Sequence, residues 1–359
     1  MNPSEPFLTV IIPARNRATL LRRTLASVGA QSYRGFRVVL VDNGSRDATR
    51  EVMARWADSQ TDLDVTVADE PRAGATRARN AGAALATTPW LMFFDSDDEM
   101  LPDHIADFRA AAEASPGADI IGRGVLMRTP VGRDTRKFFT ARRALFNHIF
   151  HSTLSTQRYI VRREFYRRHG GWDTRAVGWD DWEMGLRLLL GKPRLAEIRG
   201  ESVVQHVHGD SITGTDFSSS PRKWADTIDL CRADVIAAGR DDLLPLLDMR
   251  RMSLAAIFAA EVYGIPMPLD RQLTVILLAV LASIGSMGVP GAALIMITMV
   301  FTQVGIPLEA IALVAGVDRI MDMARTTINV LGDATGALFV SKLESDFDPE
   351  RGERLAAAE

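Results

Sequence analysis

What most constrains this chain is an alternation, across residues 7–94, of short apolar runs with stretches of helical spacing. Phe7 to Ile12 is β-branched and closed by Pro13, which predicts a buried strand. Ala18 to Ala30 then sets Leu20, Leu21, Leu25 and Val28 at helical spacing. Phe36 to Val41, Leu63 to Ala68 and Trp90 to Phe94 predict further strands, and Asp47 to Ala57 and Gly74 to Thr87 the helices between them. Such alternation predicts an α/β fold with a mainly parallel, Rossmann-type sheet. In such a sheet ligands sit at the carboxyl ends of the strands.

The residues following those strands are therefore the candidate ligand contacts. Pro13, Arg15 and Asn16 follow the first strand, Asp42 the second, and Asp95-Ser96-Asp97-Asp98 the fourth. No Gly-x-Gly-x-x-Gly follows the first strand, and no Gly-rich loop ends in Lys-Ser/Thr. Phosphate charge would then have to be met by arginines or by a metal ion. Carboxylates suit Mn²⁺ or Mg²⁺, and the cation would bridge a diphosphate. The plainer reading of Asp95 to Glu99 is a cap for a helix around His104 to Ala114.

The net charge of −3 gives no global field for nucleic acid. The single cysteine, Cys231, excludes an internal disulfide and reads as a small apolar filler. Met1 to Leu8 has no basic stretch leading into an apolar one, so a cytoplasmic start is expected. The text changes character near Arg251: before it the chain is charged and arginine-rich, and from Leu254 to Lys342 apolar runs dominate. This predicts domains at 1–250 and 251–345, with a polar tail at 346–359.

Seven strings along residues 7–250 carry a family likeness. They are Val10-Ile11-Ile12-Pro13-Ala14-Arg15-Asn16, Val41-Asp42-Asn43-Gly44-Ser45, Ala78-Arg79-Asn80-Ala81-Gly82, and Phe94-Asp95-Ser96-Asp97-Asp98. Gly170-Gly171-Trp172-Asp173 with Gly178-Trp179-Asp180-Asp181-Trp182-Glu183, and His208-Gly209-Asp210-Ser211-Ile212-Thr213, complete the set. In this order they resemble family-2 glycosyltransferases. The resemblance implies a GT-A-like nucleotide-sugar fold, a nucleotide-diphosphate sugar as donor (a UDP-sugar favoured) and a carbohydrate or lipid-linked acceptor. It implies that Asp42 hydrogen-bonds the base, that Pro13, Arg15, Asn16 and Arg79 line the nucleotide site, and that Asp95 and Asp97 hold the metal. Asp95 would also lie near the ribose. Where Arg15 stands the family usually has an aromatic residue; a guanidinium can stack in its place. His208 would be a further metal or phosphate contact, or a structural histidine.

Inverting transfer needs a base for the acceptor hydroxyl. The resemblance gives that role to Asp181, second of the acidic pair Asp180-Asp181, whose alternative is capping of the helix that starts there. Trp172, Trp179 and Trp182 offer faces for a sugar acceptor, or belong to the core.

Beyond Arg251, Leu273 to Ile284 and Ala292 to Val304 are apolar arms around a Gly/Pro tip. Both are shorter than the roughly 18 residues of a spanning helix, so they predict a re-entrant hairpin in an all-α segment. Asp318, Asp322, Arg325, Asn329 and Asp333 follow on one face of an apolar helix. Residues 282–291 and 318–333 resemble the C-terminal end of dicarboxylate/amino-acid:cation symporters. The resemblance implies substrate contacts at Asp322 and Arg325 and sodium coordination at Asn329 and Asp333. The Asn-x-Asp-Gly-Thr sodium motif and the helices expected upstream are missing, so these residues are expected to be vestigial. Two readings follow: a glycosyltransferase at the cytoplasmic face of a membrane, or a transporter-derived protein carrying a sugar-transfer or sugar-binding module. On either, 251–345 should need lipid, detergent or a partner to cover its apolar faces. Residues 1–250 expressed alone should stay soluble, whereas the full chain should aggregate without detergent. A monomeric full chain in plain buffer, by light scattering, would contradict this.

Overall fold

The computed structural model describes residues 5–129, 134–207, 221–250, 298, 301 and 302. The chain divides into two compact units, Met1–Leu247 and Asp248–Glu359. The expected re-entrant hairpin, and Asp318, Asp322, Arg325, Asn329 and Asp333, lie outside the described residues. Among the described residues, no helix is long and apolar enough to cross a membrane.

The first unit begins with the alternation read from the sequence. Strands β1 (Leu8–Ala14), β2 (Phe36–Asp42), β3 (Asp64–Asp69) and β4 (Trp90–Phe93) alternate with helices α1 (Ala18–Gly29), α2 (Thr49–Asp58) and α3 (Ala75–Leu85). Then follow β5 (Glu99–Met100), α4 (His104–Ala114), β6 (Ile120–Arg128), β7 (Thr135–Lys137), α5 (Ala144–His151), β8 (Tyr159–Arg162), α6 (Arg163–Arg168), α7 (Asp180–Leu190), β9 (Leu195–His206) and α8 (Pro221–Ala237). They form one sheet in the order β3-β2-β1-β4-β8-β6-β9-β5, with β7 beside β6.

Strands β3, β2, β1 and β4 are parallel, as expected. Beyond β4 the expectation of a mainly parallel sheet fails. Strand β8 runs antiparallel between β4 and β6, and only β6 and β9 pair in parallel there. Three strands of the mixed half, β5, β7 and β8, have two to four residues, which leaves little periodicity to read.

Both faces of β1, β2 and β4 are buried. Leu8, Val10 and Ile12 of β1 and Phe36, Val38 and Leu40 of β2 point to one core, with Leu21, Leu25 and Val28 of α1 and Ile105 and Phe108 of α4. The alternate residues Ile11, Val39, Val41, Leu91 and Phe93 point to the other, with Ala78 of α3 and Met184 and Leu188 of α7. This is why these strands read as continuous apolar runs rather than alternating ones.

Helix α3 lies close on that second face because its contact residues are small. A Cβ built on Gly82 would stand 2.5 Å from Ile11 Cγ2 and 3.1 Å from Val41 Cγ2. Both neighbours are β-branched and stiff, so they cannot give way cheaply. Gly82→Ala should lower stability by about 1–3 kcal/mol through overpacking, despite alanine's better helix propensity. Urea unfolding checks this; an unchanged or raised midpoint would mean that α3 stands farther from the sheet.

Candidate active site

The carboxyl ends of β1, β2 and β4 share one edge, and the strand order reverses between β1 and β4. That reversal opens the crevice in which such sheets hold ligands. On one side, Pro13 is buried in β1 and Arg15 is exposed in the loop after it. Asn16 takes a left-handed conformation, φ 52°, which asparagine tolerates better than most residues. Its N–H donates to Ser45 Oγ (3.0 Å) and its Oδ1 accepts from the Arg46 N–H (2.8 Å). Asn16 thus ties the loop after β1 to the loop after β2. Asp42 ends β2 and is buried. Its Oδ2 accepts from the Ser45 N–H (3.1 Å), while its Oδ1 is buried with no partner among the described residues. A buried acceptor left in this state costs free energy until a donor reaches it.

Arg79 of α3 is the hinge of the site. It is 6% exposed, and its Nη1 donates to Asp180 Oδ2 (2.5 Å) while its Nη2 donates to Asp95 Oδ1 (3.0 Å). The guanidinium carbon sits 4.5 Å from the centre of the Trp172 ring, a cation–π contact. One cation therefore joins the end of β4 to the start of α7. The neighbouring Asn80 closes the same junction. Its Oδ1 accepts from Trp172 N–H (2.9 Å) and Tyr166 O–H (2.8 Å), and its Nδ2 donates to Trp172 O (2.8 Å). Sequence reading gave Asn80 no role.

The acidic run after β4 splits by function. Asp95 and Asp97 are half-buried at the crevice, and burial together with the Asp97 charge raises the Asp95 pKa against the pull of Arg79. Asp98 is buried beneath. It accepts from Gln157 Nε2 and from the His206 N–H (2.9 Å), and burial pushes its pKa well up. Asp98 thus fastens the end of β9 and the turn before β8 to this corner. His208 lies outside the described residues; His206, two residues earlier, meets Glu99 with Nε2 2.6 Å from Oε2.

The second acidic pair also divides. Trp179, at φ 54°, takes the position before α7, so Asp180 and Asp181 both stand in the first turn rather than with Asp180 as cap. Asp180 is occupied: beyond Arg79, its Oδ1 accepts from the Asp181 N–H (3.1 Å). Asp181 Oδ1 accepts only from the Trp182 N–H (2.8 Å), and among the described residues no donor reaches Oδ2. Burial, then the Asp180 charge, push the Asp181 pKa up to about 7 against the pull of Arg79. Burial also lowers the pKa of Lys137, which feels this carboxylate.

Of the three tryptophans, only Trp179 keeps an exposed face, lying 4.8 Å from Trp224, centre to centre. Trp182 is wholly buried and donates its indole N–H to His148 O (2.9 Å), and Trp172 is buried under Arg79. Of the two alternatives left open by the sequence, an acceptor face or the core, the burial of Trp182 under α5 corresponds to the core. Among the described residues no group of three or more His, Cys, Asp or Glu side chains is placed to hold a metal.

Residues 9–173 match the model of Glycosyl transferase family 2, and residues 249–343 that of the Sodium:dicarboxylate symporter family. A structure of S. aureus TarS residues 1–349 in complex with UDP-GlcNAc is similar with a TM-score of 0.59 and 17% identity, over 77% of this chain and 81% of that one. The mannosyltransferase PcManGT from Pyrobaculum calidifontis, in complex with GDP-Man and Mn²⁺, gives 0.51 and 20%, over 89% and 88%. At these identities the likeness is one of fold. The C-terminal region is 43% identical over 105 residues to a proton/sodium-glutamate symport protein of Geobacillus stearothermophilus, 29% of this chain and 25% of that one. It is 43% identical over 99 residues to a proton/glutamate-aspartate symporter of Escherichia coli, covering 28% of this chain and 23% of the relative. The chain therefore spans about a quarter of the length of these relatives.

The raised pKa of Asp181 has a stability consequence of definite sign. Between about 4 and 7 the folded chain holds a proton that the unfolded chain has lost, so stability falls as pH rises through that window. Asp181→Asn keeps the acceptor for Trp182 and removes the buried charge. The variant should be more stable than the parent at pH 8, by about 1–3 kcal/mol, and no more stable at pH 4. Thermal melts at both pH values check this; an equal shift at both would refute the buried charge.

Proposed function

We propose that the first unit is an inverting glycosyltransferase, moving a sugar from a nucleoside-diphosphate donor to an acceptor hydroxyl with Asp181 as base. One observation carries the choice of base: Asp180 is bound to Arg79, whereas Asp181 keeps an oxygen free at a carboxyl pushed up to about 7. A base poised near working pH is favoured for proton transfer. The unmatched Asp42 Oδ1 supports a nucleobase N–H as its partner, with Pro13 and Arg15 beside it. UDP-GlcNAc, UDP and GDP-Man in the similar structures support a nucleotide sugar as donor.

The donor set fits a divalent cation. Asp95, Asp97 and Asp98 crowd one strand end, and the hard oxygens of Asp95 and Asp97 would hold Mn²⁺ or Mg²⁺ with the diphosphate completing the shell. When bound, the cation offsets negative charge on the diphosphate leaving group. Arg79 steadies Asp95 from behind. Asp181 takes the acceptor proton as the acceptor oxygen bonds to the anomeric carbon, and the bond to the diphosphate breaks with its electron pair on the leaving group. Inversion follows from this single displacement. The region matching the symporter family spans a quarter of its relatives, and no transport is assigned to it.

Nucleotide sugars should be hydrolysed slowly by the protein without acceptor, and only with metal present. Asp97→Ala should abolish most metal-dependent binding of nucleoside diphosphate in calorimetry. Asp181→Asn should keep donor binding and lose about 10²–10⁴-fold in turnover. Diphosphate binding indifferent to chelator and to Asp97→Ala would remove the metal from this reading. Near-normal transfer by Asp181→Asn would remove the base.

A further inference from the structure

The segment from Thr135 to Phe150 carries Arg136, Lys137, Arg142 and Arg143 and no acidic residue, in a chain whose net charge is −3. Two carboxylates face it from β9: Glu201, 3.4 Å from Arg136, and Glu197, which accepts from the Ala141 N–H (2.8 Å). Arg142 and Arg143 are exposed, and among the described residues no carboxylate pairs with either. The same segment exposes two large apolar side chains, Phe138 at 68% and Phe146 at 49%. Phe146 packs on its helical neighbour Phe150, with ring centres 5.1 Å apart.

These rings are not misplaced core. The core demand of the segment is met by Phe139, Ala144 and Ile149, all buried. Helix α5 is also held rigidly. His148 is buried; its Nδ1 accepts from the Leu154 N–H (3.1 Å), so Nε2 carries the proton and donates to Trp182 O (2.8 Å). Trp182 returns the bond through its indole N–H to His148 O. Helix α5 is thus fixed against α7 at Trp182, one residue beyond Asp181.

We propose that this face, with Phe138, Phe146, Arg142 and Arg143, docks the protein on an anionic lipid surface. Exposed rings flanked by arginines suit the boundary of a bilayer, where the rings enter the acyl region and the cations stay among the phosphates. A soluble polyanion would draw on the arginines and leave the phenylalanines in water. The surface lies in the first unit and is independent of the symporter-like region, and it does not rest on the transfer reaction.

The test is hydrogen exchange of the full chain with and without vesicles, read peptide by peptide. Vesicles containing phosphatidylglycerol should slow exchange across 138–150, whereas pure phosphatidylcholine should not. Arg142→Glu with Arg143→Glu, and separately Phe138→Ser with Phe146→Ser, should each weaken this protection about tenfold or more in vesicle titrations. Neither pair touches a residue of the proposed reaction, and unchanged melting of the variants shows that the fold persists. Anionic vesicles that bind the chain and leave 138–150 unprotected would overturn the proposal. So would equal protection by soluble polyphosphate, or protection indifferent to loss of the two rings.

Discussion

The site depends on one buried cation. Taking the Arg79 guanidinium out of water carries a heavy desolvation cost, which Asp95, Asp180 and the Trp172 face offset together. Without it, two half-buried carboxylates at the ends of β4 and α7 would repel across the crevice. The close seat of α3 on the sheet is what brings the cation there. Small residues, Ala78 and Gly82, allow the helix backbone near Ile11 and Val41, and Asn80 then locks the loop carrying Trp172. A packing fact in the core therefore sets the electrostatics of the surface crevice.

Chemically identical side chains take opposite roles here, and local environment decides which. Asp98 is sealed and serves as mortar between β9 and the turn at Gln157, whereas Asp95 and Asp97 three and one residues before it face the crevice. Asp180 is neutralised by Arg79, whereas burial and the Asp180 charge raise the pKa of its neighbour Asp181. This is the familiar way in which a site separates the acids and bases it needs from one residue type.

How much of this could be read beforehand follows from the same physics. Strands β1, β2 and β4 were legible because burial on both faces makes them continuous apolar runs, and the crevice because its acids directly follow those runs. The mixed half was not: β5, β7 and β8 are too short to show a period, and the partners of β5 and β8 are distant in sequence. Trp182 and Asp98 carry no local sign of burial, since what covers them is α5 in one case and β9 in the other. Asn80 was visible in its string, but its bonds to Trp172, 92 residues away, were not. His206 ends β9, and His208 lies outside the described residues.

The span of Arg79 bears on how such a domain can diversify. Its helix belongs to the parallel half of the sheet, and Asp180 comes after the mixed half has been built. The two halves are thus poor modules for exchange between relatives. A recombinant joined near residue 100 would inherit a guanidinium from one parent and must find its carboxylate, at the same height and angle, in the other. On the proposed reading, variation in donor choice can accumulate by point changes along the loops after β1 and β2, which lie wholly within one half. On the proposed reading, variation in the acceptor side has to preserve the first turn of α7 and so is pressed outward, onto the loop at Trp179.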